Sequence, residues 1–129
     1  MSGAAVVAEV YQAVRRGDID AAVGLYSPDC EIHAPEGVLR GHAGVRAFWE
    51  RRRAGYASVE VGEPEDLGDR RVLVQVRIVS DSPQGPVEVR PATLWTVRDG
   101  RVARWQWFPS RWMAQESIGA GNASEAGAG

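Results

Sequence analysis

Lysine is absent from this chain of 129 residues, in which all fifteen basic side chains are arginine. Schiff-base aldolases and pyridoxal-phosphate enzymes need a lysine amine, and a P-loop needs a lysine beside its phosphates. These three classes are therefore excluded. The absence also fits a GC-rich genome, because arginine codons are rich in those bases.

Cysteine and histidine are almost as scarce, with Cys30 the single cysteine and His33 and His42 the two histidines. One cysteine excludes an internal disulfide, a CxxC redox pair and a cysteine-rich zinc site. Two histidines exclude a three-histidine zinc site. We therefore expect neither a metal nor a cofactor.

Long apolar runs and an excess of positive charge are also missing. No stretch approaches the roughly 18 consecutive apolar residues of a membrane helix, and no signal-peptide pattern is present. The formal net charge of −2 gives no reason to expect nucleic acid or a membrane as partner. We expect a cytoplasmic protein with one domain at 1–118 and a disordered tail of small and polar residues at 119–129.

The first half of the chain carries helical patterns. Apolar residues at i, i+3, i+4 and i+7 spacing predict helices over 4–16, 19–26 and 42–56. Residues 30–34 alternate apolar and polar side chains and predict a strand, preceded by a turn at 27–29.

The second half carries strand patterns and one short helix. Alternation and turn residues predict strands over 58–62, 71–80, 87–97 and 101–108, and residues 111–118 favour a last helix. Helices followed by an antiparallel meander predict an α+β fold, with the helices on one face of a curved sheet.

The third predicted helix ends in three consecutive arginines, Arg51, Arg52 and Arg53. They could form a phosphate-binding patch. Because cations suit the C-terminal end of a helix dipole and the net charge is negative, we interpret them instead as a solvent-exposed helix end.

Two stretches resemble a known family. The first is GDIDAAVGLYSPDCEIHAPEGVLRGHAGVRAFWE, with a glycine–acid step between helices, an acidic residue opening a strand, a proline after it and a glycine before the next helix. The second is LWTVRDGRVARWQWF, which resembles a final hairpin. Over residues 5–118 the chain is similar to the NTF2-like superfamily, which contains ketosteroid isomerases, limonene-epoxide hydrolases and SnoaL-type polyketide cyclases.

The resemblance implies a cone-shaped barrel, in which a curved antiparallel sheet wraps around the N-terminal helices and leaves an apolar cavity. Such a cavity is suited to small molecules. The implied function is that of a SnoaL-like cyclase or isomerase acting on an apolar, carbonyl-bearing ligand of polyketide or steroid type. The resemblance also implies a homodimer.

The family's acid–base residues are not matched here. Where the isomerases carry a tyrosine, a base carboxylate and a protonated acid, this chain has Val10, Ala34 and Thr93. Trp107 stands where the hydrolases and cyclases place a carboxylate on the last strand. Tyr11 is one residue past the isomerase tyrosine position, and since a helix turns about 100° per residue we expect it to face elsewhere.

Strand alternation and helical spacing, anchored on these matched positions, assign the inner face. The predicted ligand-binding residues are Val10, Ile32, Ala34, Phe48, Trp49, Val76, Ile78, Trp95, Trp105 and Trp107. Two interpretations of the four tryptophans stay open: they fill the cone as core, or they line a cavity for a flat ligand.

Three polar residues are candidates for catalysis. The hydroxyls of Tyr26, on the second helix, and Thr93 could donate hydrogen bonds to a carbonyl or enolate oxygen, although both could equally be core hydroxyls bonded to the backbone. His33 is the third candidate, because imidazole suits acid–base work, but alternation directs it outward unless a bulge reverses the strand.

Three hypotheses of function remain open at this point: an enzyme, a non-catalytic binder, and an interaction module. Loss of the carboxylates favours the binder, and the family favours the enzyme. An interaction module would use the outer face of the sheet as a two-fold interface. That face carries Gln75, Arg77, Glu88, Arg90, Arg104 and Gln106.

Overall fold

This computed structural model describes residues 2–53 and 59–128, with side chains described for all of these except Arg53 and residues 120–128. The described part contains helices α1 (Gly3–Arg15), α2 (Ile19–Gly24), α3 (Gly41–Arg53) and α4 (Arg111–Ala128). Its strands are β1 (Tyr26–Ala34), β2 (Gly37–Arg40), β3 (Val59–Val61), β4 (Glu65–Gly68), β5 (Arg71–Ser82), β6 (Gly85–Val89), β7 (Ala92–Arg98) and β8 (Arg101–Phe108).

The two N-terminal helices begin at side-chain caps. Ser2 Oγ accepts the amide N–H of Ala5, and Asp18 Oδ1 accepts that of Ala21, each at 3.1 Å. These bonds satisfy amide groups that have no partner within the helix. Gly17, with φ of 77°, makes the tight link between the helices.

The first strand differs from its prediction. β1 begins at Tyr26, directly after α2, whereas a helix to residue 26 and a turn at 27–29 were predicted. The pairing of β1 with β8 shifts register between Tyr26 and Glu31. Pro28 lies in this interval and has no N–H to donate, which suits it to a bulge rather than to regular pairing.

The sheet has the strand order β2-β1-β8-β7-β5-β3, and β4 and β6 also pair with β5. All pairs are antiparallel except β1 with β8, which are parallel, so the sheet is mixed. The short strands β2 and β4 were not predicted.

The sheet bends along the long strand β5, whose two parts pair with different strands. Its first part, Arg71–Gln75, pairs with β7, while its second part, Ile78–Ser82, pairs with β6. The single predicted strand over 87–97 is correspondingly divided between β6 and β7. Pro91 lies in the break, where its missing N–H costs no ladder bond, and its carbonyl accepts the Val76 amide at 2.9 Å.

The main core lies between the helices and the concave face of the sheet. The predicted stripe of α1 is confirmed, with Val6, Val7, Val10 and Val14 at most 2% exposed. A smaller cluster on the other face joins Leu73, Ala92, Phe108 and Ala114 of α4. The α+β fold with a curved sheet around the N-terminal helices is confirmed, although the sheet does not close.

The last helix, α4, includes the predicted segment 111–118. The side chains from residue 120 onward lie outside the described residues, so the predicted tail at 119–129 stays a prediction. Among the helices that the structure describes, none is long and apolar enough to cross a membrane.

Candidate functional site

An apolar cavity opens between α1, the end of α3 and the concave face of the sheet. Its volume is about 320 Å³, at the small end of the range for ligand pockets, roughly 300–1,000 Å³. The lining residues are Tyr11, Phe48, Trp49, Arg51, Arg52, Val59, Val61, Val76, Ile78, Pro91, Thr93, Trp105 and Trp107.

The structure brings part of the predicted ligand-binding set to this cavity. Six of those ten residues line it: Phe48, Trp49, Val76, Ile78, Trp105 and Trp107. The other four are outside the lining: Val10, Ile32 and Trp95 are fully buried in the core, and Ala34 packs against it. Three of the four tryptophans therefore form cavity wall, and Trp95 forms core behind it.

Tyr11 is a lining residue that the sequence analysis placed elsewhere. It is 6% exposed and meets Trp49 and Trp95 edge-on, with ring centroids 6.0 and 5.5 Å apart. The sheet curves around α1, so the buried face of this helix is wider than the single stripe expected of a surface helix. The spacing of Tyr11 with Val7 and Val14, four residues before and three after, was the available signal.

Thr93, one of the three catalytic candidates, lines the cavity, and its hydroxyl connects several buried groups. Its hydroxyl accepts the Trp95 indole N–H at 2.9 Å and donates to the Val74 carbonyl at 3.3 Å. A hydrogen bond also connects Thr93 with Tyr11. Burial raises the pKa of Tyr11 well above its ordinary value, and this hydrogen bond offsets the rise only in part. The Tyr11 phenol therefore stays protonated at neutral pH.

Trp105 lines the cavity and carries a buried hydrogen-bond donor. It is 4% exposed and packs against Phe48, with ring centroids 4.8 Å apart. Its indole Nε1 is buried and has no hydrogen-bond partner within the described part of the chain. An unsatisfied buried donor costs about 1–3 kcal/mol, which an acceptor on a ligand would recover.

The other two catalytic candidates lie outside the cavity lining. Tyr26 is fully buried, and its hydroxyl accepts the Trp49 indole N–H at 3.1 Å. The structure therefore places the Tyr26 hydroxyl behind the wall, holding Trp49 in position. Tyr26 belongs to β1 rather than to α2, where the sequence analysis put it.

His33 lies on the other face of β1, as alternation predicts, because the bulge precedes Glu31. Its Nε2 is 3.1 Å from Glu31 Oε1, and the other carboxylate oxygen of Glu31 accepts a hydrogen bond from Arg40. The hydrogen bond with His33 and the charge of Arg40 lower the pKa of Glu31. His33 thus belongs to an ion-pair cluster away from the cavity.

Two arginines of the run at the end of α3, Arg51 and Arg52, line the cavity and also reach solvent, as expected of a helix end, with side chains 60% and 37% exposed. The guanidinium carbon of Arg52 lies 4.3 Å from the centre of the Phe48 ring, within cation–π distance. Arg52 Nη2 donates to Glu36 Oε1 at 3.0 Å, and Arg51 Nη1 is 3.6 Å from the same oxygen. Burial lowers the pKa of Arg52, although its value stays that of a permanently charged group.

Acid–base groups are missing from the lining as far as the structure describes it, since no carboxylate and no histidine is among the lining residues. Within the described residues there is also no group of three or more potential metal ligands. Cys30 is 1% exposed, and burial raises its pKa, so its thiol stays protonated and unreactive.

Comparison of the fold gives several similar structures. One is SalBIII, an epoxide hydrolase/cyclase-like enzyme with a role in pyran ring formation in the polyether salinomycin. It is 20% identical over 82% of this chain and 88% of that one, with a TM-score of 0.64. An NTF2-like protein from Burkholderia pseudomallei is 21% identical over 85% and 92%, also with a TM-score of 0.64. A protein from Catenulispora acidiphila with a ketosteroid isomerase-like fold, crystallised with trimethylamine, is 18% identical over 82% and 85%, with a TM-score of 0.60.

These similar structures support the fold assignment, and the family assignment comes from the sequence. No curated protein matches the chain. The family model of the SnoaL-like domain matches residues 7–105, which include most of α1, all of α2 and α3, and the strands through most of β8. The chain therefore belongs to the SnoaL-like domain family and has the NTF2-like fold.

Proposed function

We propose that this protein binds a small, largely apolar molecule bearing a carbonyl oxygen, of polyketide or steroid type, and acts on it as a cyclase or isomerase. The observation that carries the proposal is the composition of the cavity wall. The wall combines aromatic faces with the buried indole N–H of Trp105, which has no hydrogen-bond partner among the described residues.

The aromatic wall favours a flat ligand. Phe48, Trp49, Trp105 and Trp107 present ring surfaces, and Val76 and Ile78 complete an apolar floor. Stacking of rings adds about 0.5–1.5 kcal/mol per pair to the burial of apolar area. A cavity of about 320 Å³ suits a compact ligand of a few rings better than a long chain.

The polar groups in the wall favour an oxygen acceptor. The indole N–H of Trp105 can donate a hydrogen bond and has no partner among the described residues, whereas the Tyr11 hydroxyl is already hydrogen-bonded to Thr93. Donors that meet an oxygen in a dry site stabilise negative charge as it develops there. Such a site would polarise a carbonyl or hold an enolate.

The absence of carboxylates from the described lining limits the reactions that the cavity can catalyse. A carboxylate base normally removes the proton in the family's isomerases, and the described lining has none. Ring closure of a chain that is already reactive needs enforced proximity and carbonyl polarisation more than it needs a strong base. Cyclisation is therefore the better-supported form of the proposal, and the pyran-forming role named for SalBIII is in keeping with it.

Binding is tested with a ligand pair that differs in the carbonyl alone. Quenching of tryptophan fluorescence is measured with 2-acetylnaphthalene and with 2-ethylnaphthalene. We expect the ketone to bind about tenfold more tightly, as one hydrogen bond of about 1 kcal/mol or slightly more implies. Trp105→Phe should remove the preference, while Trp112→Phe, at an exposed position of α4, should keep it. Failure of both ligands to bind would overturn the proposal.

Activity is tested by incubating the protein with a linear poly-β-ketone thioester and analysing the products by mass spectrometry. We expect faster ring closure than in buffer, and slower closure with Trp105→Phe, which lacks the indole N–H. A second candidate function, non-catalytic binding, is favoured by the absence of an acid–base group from the described lining. Tight binding of the ketone with no acceleration of ring closure would decide for that candidate.

A further inference from the structure

The wall of the cavity carries more positive charge than its immediate surroundings balance. Arg51 and Arg52 are both lining residues, and no carboxylate lines the cavity within the described part of the chain. The carboxylate that reaches them is that of Glu36, and a single oxygen of it faces both guanidinium groups. At the edge of the apolar cavity, the single carboxylate charge of Glu36 therefore neutralises only part of the charge of two guanidinium groups.

Arg46, on the same helix, differs from Arg51 and Arg52 in the number of carboxylates around it. It pairs with Asp20 Oδ1 at 2.5 Å and lies 4.0 Å from Glu50 Oε1, so two carboxylates surround one guanidinium. Arg46 is not a lining residue. Among the described side chains of α3, the excess of positive charge is thus on the side that faces the cavity.

Arg52 is held in a geometry that leaves donors for a further acceptor. Its guanidinium lies over Phe48, and one nitrogen is engaged by Glu36. Its Nε is buried and has no hydrogen-bond partner among the described residues. A guanidinium is a planar fork that matches the two oxygens of a carboxylate, so a second acid group can bind to the edge that Glu36 leaves.

We propose that the ligand is an acid, with its rings in the tryptophan-lined cavity and its carboxylate on Arg51 and Arg52. The proposal deepens the proposed function and rests on it, since it names the substrate class of the same cavity: an aromatic or polycyclic carboxylic acid. Part of the wall then binds the carbonyl oxygen, and its cationic edge binds the acid group.

The test compares naphthalene-2-carboxylate with naphthalene-2-carboxamide, which has the same rings and no charge. Binding is followed by quenching of tryptophan fluorescence at neutral pH and low salt. We expect the carboxylate to bind about tenfold more tightly than the amide, because hydrogen bonds to ionised groups are about twice as strong as neutral ones. High salt should weaken binding of the carboxylate and leave that of the amide almost unchanged.

Three variants on α3 and one at Glu36 test which side chains bind the carboxylate. Arg51→Gln and Arg52→Gln should each weaken carboxylate binding several-fold without changing amide binding, which also serves as the control for correct folding. Arg46→Gln should change neither. Glu36→Gln should strengthen carboxylate binding, because the competing carboxylate is removed.

The outcomes separate this inference from the proposed function. Equal binding of the acid and the amide to the unaltered protein would overturn the inference and leave the proposed function standing. Loss of amide binding along with acid binding in Arg52→Gln, with Arg51→Gln unchanged, would also overturn it, because Arg52 would then only support Phe48. Absence of binding by either ligand would overturn both.

Discussion

The hydroxyl of Thr93, in the cavity wall, connects the buried groups of Trp95 and Val74 and is also hydrogen-bonded to Tyr11. It accepts the Trp95 indole N–H and donates to the Val74 carbonyl. Thr93→Val keeps the side-chain shape and leaves both groups without this partner. We expect the free energy of unfolding to fall by about 1–3 kcal/mol, the cost of an unsatisfied buried donor.

Urea denaturation followed by circular dichroism measures that loss. Thr96→Val, on the same strand and less buried, is the matched control and should change the free energy of unfolding by less than about 0.5 kcal/mol. Equal effects of the two substitutions would show that the hydrogen bonds of Thr93 contribute no net stability.

Tyr11 makes stability depend on alkaline pH. Burial raises its pKa in the folded protein well above the ordinary value, which is 10.0. The unfolded chain therefore loses this proton first as the pH rises, and it binds fewer protons than the native state. The stabilising contribution is complete below pH 10 and is lost progressively as the pH rises above that value.

We expect the free energy of unfolding to decrease less steeply above pH 10 in Tyr11→Phe than in the unaltered protein. Urea denaturation on both sides of pH 10 measures the two slopes. Identical slopes would mean that the Tyr11 phenol ionises as readily in the folded state as in the unfolded chain.

At the scale of elements, the contact between the end of β3 and β5 is especially close. The Gly62 amide donates to the Gln75 carbonyl at 2.8 Å, and a Cβ at Gly62 would lie 2.9 Å from that same oxygen. Backbone must therefore shift in Gly62→Ala. We expect the free energy of unfolding to fall by about 1–3 kcal/mol, as in other overpacked sites.

The substitution should also weaken ligand binding, because β3 contributes Val59 and Val61 to the cavity wall. Gly24→Ala is the control: a Cβ there meets nothing within 4 Å, and Gly24 is helical. It should raise the free energy of unfolding by up to about 1 kcal/mol. Denaturation and fluorescence titration of both variants measure the two effects.

Helices and strands were predictable from the sequence where a local pattern of apolar residues was enough to determine them. The stripe of α1 and the alternation of Val72, Val74 and Val76 in β5 place the same side chains inside that the structure buries. The start of β1 was not predictable in this way, because its pairing partner, β8, lies about seventy residues along the chain. Short strands such as β2 carry too few residues for a pattern, and their pairing alone defines them.

At the scale of the whole molecule, the oligomeric state is a prediction. On the outer face, Arg77 pairs with Glu60 and Glu88, and Glu88 also pairs with Arg90. We expect two copies to associate through this face as a homodimer. Sedimentation equilibrium at micromolar concentration should give twice the monomer mass for the unaltered chain.

Arg77→Glu should shift that equilibrium towards monomer, because it places like charges beside Glu60 and Glu88. Arg46→Glu, on a helix away from this face, should not. A monomer mass for the unaltered chain would contradict the prediction.

The C-terminal residues give a second prediction at this scale. Ala114 of α4 is fully buried and contacts the sheet through the cluster of Leu73, Ala92 and Phe108. A chain ending at residue 118 keeps this contact. We expect it to unfold at a temperature within a few degrees of the full chain, as differential scanning calorimetry would measure. A large decrease would contradict the assignment of 119–129 as a tail.

The sequence by itself determined the classes of chemistry that are excluded, the α+β order, the family and most of the aromatic cavity wall. The excluded classes follow from composition, and the order of elements follows from periodicities that neighbouring residues impose. The family and the inner face follow from the resemblance of two stretches to NTF2-like proteins. Tertiary structure decided the rest: Trp95 is core, Tyr26 supports Trp49, and Tyr11, Arg51 and Arg52 face the cavity. The reason is physical, because the curvature of the sheet and the bend of β5 set which side of each helix meets the cavity, and both depend on pairings between strands far apart in the chain.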